Sequence, residues 1–403
     1  MVNRKEVQMK KRSNGEGTIC KRNDGRWMGQ LVLDGEDRKY KRKTVYGKTQ
    51  KEVKEKMEQI KSDCRQGKVI ETSDMPLEQW MEIWIKNYKP DLKITTRENY
   101  ECYINIHIKG SELGKISLNK LKTSHLQHFY NEKLTGKSKG KKEGLSPTTV
   151  RYLNIIIKTA IKQAVNNRMI NENVCNAVVL PKKKKMEIVP FTQDEITKFL
   201  REAKKDRLYA LYLLEMMTGL RRGEILGLKW ENIDFKGKRI EVVNNLCKVN
   251  NTEEGAQTKY KLVLMETKTE TSHRVIPMND SMIEELKAHK IRQEEEKRQF
   301  AECYLDLGMV FCKQDGNYIY PREFLAQYQR LLKRADLEKK RFHYLRHTVA
   351  SFLINANENP KVIQQLLGHS NISTTLDIYA HVMGDTMNKS VDKLYEQLRL
   401  DCE

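Results

Sequence analysis

The sequence predicts a multidomain α+β protein. It has a small three-stranded sheet plus helix at the N-terminus, then a helical bundle, then a mainly α block with a small antiparallel sheet. Three observations lead there. At 403 residues the chain exceeds one typical domain. Its hydrophobic periodicity changes from two-residue alternation to helical spacing and then to a mixture. A lysine run between two prolines, "PKKKKMEIVP" (Pro181–Pro190), separates the second block from the third.

The first block spans residues 12–68. A turn at Asn23–Gly25 precedes Trp27, Gly29, Leu31 and Leu33, which alternate as in a half-buried strand. Asp34–Gly35 reads as a second turn and "DRKYKRKTVYG" as a third strand with a basic face. Val53, Met57 and Ile60 then recur at helical spacing. Lys21, Arg22, Arg26, Gln30, Arg38, Lys41 and Lys43 are the polar positions that would meet phosphates or a major groove, which admits a sheet face as well as a helix. A basic but solvated sheet is the plainer alternative.

The second block, residues 74–180, reads as helical throughout. Leu77, Trp80, Met81 and Trp84 form one apolar face, and Ser146 and Pro147 give an N-cap followed by proline at the first helical position. The expected core holds Trp80, Trp84, Leu153, Ile156, Ile157 and Ala160. Lys182, Lys183 and Lys184 in the following linker either stay solvated or cross a phosphate backbone.

The third block, residues 187–403, opens with Thr192 and Glu195 in capping-box spacing. Helical patterns run to about residue 229. Strand-like stretches follow at 239–249, 260–267 and 273–277, and helices around 280–300, 321–335, 343–356, 360–367 and 373–382.

Composition narrows the function classes. A formal charge of +21 implies a polyanionic partner. Residues 1–70 alone hold 20 Lys and Arg against 10 Asp and Glu. The eight cysteines are scattered with no Cys-x-x-Cys pair, which indicates neither a zinc module nor a disulfide scaffold. No apolar run approaches the roughly 18 residues of a membrane span, and no hydrophobic stretch follows the basic N-terminus. A reduced, cytoplasmic protein is expected.

The third block carries residues suited to attack on a phosphodiester. The phosphate is anionic, and its charge grows in the transition state, so donors already aimed at the non-bridging oxygens contribute most. Arginine supplies a planar fork and a permanent charge. A lysine or histidine can protonate the leaving alkoxide. "TGLRRGEILGLKW" puts Arg221 just after a helix-ending glycine, with Glu224 three residues on. Alone, that is an ordinary ion pair. "HYLRH" puts His343 and Arg346 one turn apart, "LLGHS" places His369 just past a glycine cap, and "METKTETSHRVIPM" looks like a hairpin with Lys268 at its turn. Tyr379 follows His369 by ten residues on a short amphipathic helix. Each piece is unremarkable by itself, and the order is what is specific.

That order resembles the tyrosine site-specific recombinases, the phage and conjugative-transposon integrases: Arg, Lys, His-x-x-Arg, His or Trp, then Tyr. Here "TGLR" with "GE" carries Arg221 and Glu224, and "TKT" followed by Ser272, Arg274 and "IP" carries Lys268. "HxLRH" carries His343 and Arg346, and "LLGHxxxxTT" carries His369, with Tyr379 after it. The second block looks like the family's core-binding domain. The first looks like the arm-binding domain of larger integrases, on "GEGTI", "DGRW" and the order of elements.

The resemblance implies a reaction without cofactor, ATP or metal. Tyr379 is the nucleophile and forms a 3′-phosphotyrosine bond. Arg221 and Arg346 clamp the non-bridging oxygens, His343 and His369 add hydrogen bonds, Lys268 protonates the leaving 5′ oxygen and Glu224 supports Arg221. It implies double-stranded DNA with core-type and arm-type att sites as partner, and a homotetramer joined through the C-terminal tail. In that tail Val391, Leu394 and Leu398 form an apolar stripe. It leaves room for an excisionase or DNA-bending helper protein and has no place for a membrane. The expected location is the bacterial cytoplasm, on the nucleoid when bound to DNA. An inactive DNA-binding regulator and a type IB topoisomerase-like nicking enzyme remain as alternatives. For a metal-dependent nuclease the sequence offers no carboxylate cluster.

Overall fold

The structure, a computed structural model, describes residues 17–22, 24–33, 41–65, 74–136, 144–183, 189–266 and 273–382; at 32–33, 41–43, 63–65 and 379–382 it describes the backbone alone. Arg38, Lys184, Lys268 and the tail residues Val391, Leu394 and Leu398 lie outside the described residues. The chain divides into two compact units, Met1–Asp91 with Tyr100–Lys183 and Leu92–Asn99 with Lys184–Glu403.

In the first unit, β1 (Thr18–Lys21), β2 (Trp27–Leu33) and β3 (Lys41–Gly47) form an antiparallel sheet in that order. The turn before β2 is closed by Gly25 N donating to Arg22 O at 3.0 Å, with Gly25 at φ +83°. Helix α1 (Gln50–Arg65) covers one face, where Leu31, Val53 and Met57 are buried. Gly29 permits that approach, because a Cβ there would stand 2.5 Å from Met57 Sδ and 2.6 Å from Val53 Cγ1. The expected alternation of Trp27, Gly29 and Leu31 is therefore the helix-covered side of the sheet.

The bundle comprises α2 (Leu77–Asn87), the part of α3 (Ile94–Tyr103) from Tyr100 on, α4 (Glu112–Lys115), α5 (Thr123–Thr135) and α6 (Pro147–Asn166). Between α3 and α4, Ile104–Ile108 forms a wider π-helical turn. Trp80, Trp84, Leu153, Ile156, Ile157 and Ala160 are all buried, as the helical spacing predicts. Trp80 keeps its indole satisfied by donating from Nε1 to Ala160 O at 2.9 Å. Ser146 caps α6 by accepting from Thr149 N at 3.2 Å, with Pro147 at the first helical position.

The second unit opens with α7 (Gln193–Ala203), whose capping box is formed: Thr192 Oγ1 accepts from Glu195 N at 3.2 Å and Glu195 Oε2 from Thr192 N at 2.8 Å. α8 (Tyr209–Thr218) and α9 (Arg222–Leu226) follow, then β4 (Ile233–Asp234), β5 (Arg239–Val242), β6 (Asn244–Asn250), β7 (Tyr260–Glu266) and β8 (Arg274–Pro277). The chain closes with α10 (Asp280–Phe300), α11 (Pro321–Arg334), α12 (His343–Asn355), α13 (Pro360–Leu367) and α14 (Ile372–Val382).

Two expectations about the strands change. The stretch 239–249, read as one strand, is two strands in different sheets, β4-β5-β8 and β6-β7. Among the described residues β7 and β8, read as the arms of one hairpin around Lys268, pair with β6 and β5 and not with each other. The apolar pattern runs unbroken through Val243, so the split is set by which partner each half meets. One large core, including Phe199, Leu211, Tyr212, Phe324 and Leu345, joins the helices to β5, β6 and β8.

Candidate active site

α8 ends at Gly219, which adopts φ +59° as the left-handed cap. A Cβ at Gly219 would stand 2.5 Å from Leu367 Cδ2, so α8 and α13 meet closely there. α9 starts at once, and Gly223 seats it on β6: a Cβ at Gly223 would stand 2.0 Å from Asn245 Oδ1. Arg221 is fixed at the joint between the two helices. Its backbone N donates to Glu224 Oε2 at 3.0 Å and its Nη1 to Glu224 Oε1 at 2.7 Å. The expected ion pair is formed, and Glu224 is buried.

α12 brings in Arg346, only 2% exposed. Its Nη1 donates to Gly219 O at 2.5 Å and its Nη2 to Leu367 O at 2.6 Å. Arg221 Nη2 donates to the next carbonyl, Gly368 O, at 2.6 Å. Arg274, the first residue of β8, donates from Nε to Leu366 O at 2.9 Å and from Nη2 to Glu224 Oε2 at 2.9 Å. Three successive carbonyls at the C-terminus of α13 thus each accept from a different arginine. A helix end leaves these carbonyls without partners and carries partial negative charge, so cations suit it.

Gly368 caps α13 at φ +66°, and His369 follows it. His369 Nδ1 lies 2.9 Å from Thr375 Oγ1, and Thr375 is fully buried in α14. His343, at the start of α12, keeps an exposed edge and packs edge-on against His347 at 4.8 Å between ring centroids. It lines an open cleft of about 850 Å³ together with Arg221, Arg222, Lys248 and Arg341. Tyr379 lies on α14 about one turn past Thr375, with only its backbone described. The structure therefore brings Arg221, Glu224, Arg346 and His369 to one point and His343 to the adjoining cleft. Lys268 falls outside the described residues.

Comparisons with known proteins give the family. Residues 189–385 match the phage integrase family, and residues 77–134 its N-terminal SAM-like domain. A XerC-like tyrosine recombinase of Caldanaerobacter subterraneus is 36% identical, covering 89% of this chain and 93% of the relative. The chain belongs to the phage integrase family of tyrosine recombinases. It is a DNA strand-breaking and rejoining enzyme of site-specific recombination. The ICEBs1 integrase of Bacillus subtilis is 25% identical over 87% of this chain and 91% of its own. The Tn1549 transposon integrase, solved in complex with a circular intermediate DNA, superposes with a TM-score of 0.65 at 25% identity, over 79% of this chain and 99% of that one. Lambda integrase, solved as a tetramer on a Holliday junction, shares the fold with a TM-score of 0.52 at 17% identity, over 91% of this chain and 96% of its own.

The electrostatics of this candidate site follow from its density of positive charge. Burial alone would raise the Glu224 pKa, but the hydrogen bond and charge of Arg274 and the charge of Arg221 outweigh it and hold the carboxylate below its usual range. Burial first, then Arg346 and Arg221, push His369 down to about 3. Burial, His347, Arg346 and Arg221 push His343 down to about 4. Both histidines are neutral at pH 7, so each offers one N–H donor. Which nitrogen of His369 carries the proton depends on Thr375: a hydroxyl donating to Nδ1 leaves Nε2–H to point outward.

Sequence reasoning missed several residues here. Arg274 was visible only as part of a motif, because its partners Glu224 and Leu366 lie 50 and 92 residues away. Glu215 on α8 is fully buried, and neither carboxyl oxygen has a hydrogen-bond partner among the described residues. Burial raises its pKa well above the usual value, against the pull of Arg346. Nothing local in "YLLEMMTG" marks it as exceptional.

The expected DNA-binding residues of the first sheet are less concentrated. Lys21, Arg22 and Arg26 are exposed at its first turn, where Arg22 Nε is 3.7 Å from Asp24. Gln30 pairs in register with Thr18 and Thr44, whereas Lys41 and Lys43 pair with Leu33 and Leu31, of the opposite parity. The described positions among them do not share one face. Lys182 and Lys183 are exposed on irregular chain. Among the described residues no group of three or more His, Cys, Asp and Glu side chains could hold a metal ion, and no helix is long and apolar enough to cross a membrane.

Proposed function

We propose that Tyr379 is the nucleophile of this recombinase and that Arg221, Arg346, His343, His369 and Lys268 serve the scissile phosphate. The observation that carries this reading is the convergence of Arg221, Arg346 and His369 on the last turn of α13. Each guanidinium spends part of its fork on backbone carbonyls, which fixes its orientation before DNA arrives. The remaining N–H groups face a site whose charge is only partly offset by Glu224. Such preorganised donors stabilise the charge that grows on the non-bridging oxygens. The Tyr379 oxygen gives up its proton, with His343 as acceptor, and attacks phosphorus; the P–O5′ bond breaks, and the 5′ oxygen takes a proton from Lys268. The product is a 3′-phosphotyrosyl enzyme and a free 5′-hydroxyl. Reversal by a 5′-hydroxyl from a second duplex joins new partners.

In this reading residues 12–68 bind arm-type DNA, residues 74–180 bind the core site, and residues 187–403 carry out catalysis. Lys21, Arg22, Arg26, Gln30, Arg38, Lys41, Lys43, Lys182, Lys183 and Lys184 contact DNA. Four copies assemble on two duplexes through the C-terminal tail, with an excisionase or DNA-bending protein directing the outcome, in the bacterial cytoplasm. The match to integrases of mobile elements supports excision or integration of such an element. The test is a duplex nicked beside the cleavage site, which traps a protein linked to the 3′ end. Joining of two duplexes into recombinant products separates this reading from a nicking topoisomerase. A protein that binds the element's ends and never becomes linked to them would be an inert regulator.

A further inference from the structure

We propose that Arg274 is a positioning residue for strand cleavage: without reaching the DNA, it sets Arg221 through Glu224 and His369 through the Leu366 carbonyl. The proposal rests on the reading that Arg221 and His369 act at the phosphate.

The Arg274 side chain is only 7% exposed and lies beneath the last turn of α13. Two of its hydrogen bonds, each 2.9 Å, run to groups on different elements: the Glu224 carboxylate on α9 and the Leu366 carbonyl on α13. Gly368 lies directly over it. A Cβ on Gly368 would stand 2.9 Å from Arg274 Nη1 and 3.1 Å from its Cδ and Cζ. The planar fork thus fills the space under the turn that leads into His369. One rigid side chain from β8 spaces the two elements that carry a clamp arginine and a site histidine.

Removing it has two consequences. Glu224 Oε2 would keep the Arg221 backbone N–H and lose its other donor, so the carboxylate would be freer to turn and to pull Arg221 inward. The charge of Glu224, no longer shared with Arg274, would also weigh more on Arg221 and Arg346, weakening the field at the phosphate. Lysine cannot reproduce the arrangement, because a single ammonium does not span two diverging acceptors as a planar fork does.

The experiment compares Arg274→Gln, Arg274→Lys and Arg221→Ala with the wild-type chain on a nicked duplex, in single turnover at saturating DNA. A misplacement of about 1 Å slows a reaction by about 100-fold, so Arg274→Gln should form the covalent complex about 100-fold more slowly. Its dissociation constant for DNA should stay within about threefold of wild type, and Arg274→Lys should fall between the two. A second substrate carries a neutral methylphosphonate at the scissile position. It asks less of Arg221, so the defect of Arg274→Gln should shrink on it, which a loss of folded protein would not produce.

Wild-type cleavage by Arg274→Gln overturns the proposal. So does an equal defect on the two substrates. If Arg274→Gln fails to fold, the same comparisons on Arg274→Lys decide. Arg221→Ala separates the two levels: if it cleaves normally, the site reading falls and takes this proposal with it. If it is inactive while the Arg274 variants cleave normally, only the proposal falls.

Discussion

Arg221 and Gly368, 147 positions apart in sequence, are joined by a 2.6 Å hydrogen bond from Nη2 to the carbonyl oxygen. Arg346 and Arg274 hold the two preceding carbonyls in the same way. The end of α13 is therefore both the rack on which the arginines are oriented and the lead into His369. On the proposed function, strand cleavage and local stability share these contacts.

Gly368→Ala should damage both. The residue sits at φ +66°, and its new methyl would meet Arg274 within 2.9 Å. A left-handed residue other than glycine costs about 1 kcal/mol, before any displacement of Arg274. We expect a lower melting temperature and a slowed covalent step. Unchanged cleavage kinetics would show that the turn tolerates a side chain and that Arg274 need not lie where it does.

Arg346→Lys should retain DNA affinity and lose cleavage. Lysine keeps the charge but cannot hold Gly219 O and Leu367 O together while facing the phosphate. Loss of one aligned transition-state donor costs about 3 kcal/mol, or about 100-fold in rate. Single-turnover cleavage beside a binding titration gives the answer, and a rate within a few-fold of wild type would remove Arg346 from the clamp.

Thr375→Val tests the orientation of His369. The variant keeps shape and deletes the hydroxyl 2.9 Å from Nδ1. It should slow cleavage without weakening DNA binding, and Thr375→Ser should restore most of the rate. If valine and serine behave alike, the Thr375 hydroxyl does not set the histidine.

Stability should rise with pH through the histidine range. His289 is 2% exposed, with one ring nitrogen 2.8 Å from Val310 O, and burial pulls its pKa from 6.5 down to about 4. Between those values the unfolded chain binds a proton that the folded chain does not, so unfolding is favoured as pH falls. The stabilisation is present above pH 6.5 and is lost down to about pH 4, a change on the order of 3 kcal/mol. His289→Gln should flatten this part of the pH profile. An equally steep profile in the variant would assign the effect to other groups.

Much of this was legible in the sequence, for physical reasons. Helical spacing marked α10 to α14 to within a residue or two, because their apolar stripes and their caps, Gly368 and Pro360 among them, are local signals. The motif order gave Arg221, Glu224, Arg346 and His369, which the fold gathers at one turn. What escaped depends on distant partners. Nothing local divides 239–249, since β5 and β6 differ only in the strands they meet. Arg274 acts on groups 50 and 92 residues away, and the burial of Glu215 is a property of the whole core.

The central claim is that Tyr379 carries the covalent bond. The direct measurement digests the trapped protein–DNA complex and locates the nucleotide-bearing residue by mass spectrometry, with Tyr379→Phe run beside the wild type. The account predicts a 3′-phosphate linked to Tyr379 in the wild type, and a variant that binds the same duplex and yields no adduct. An adduct persisting in Tyr379→Phe, or a linkage mapped to another residue, would contradict it.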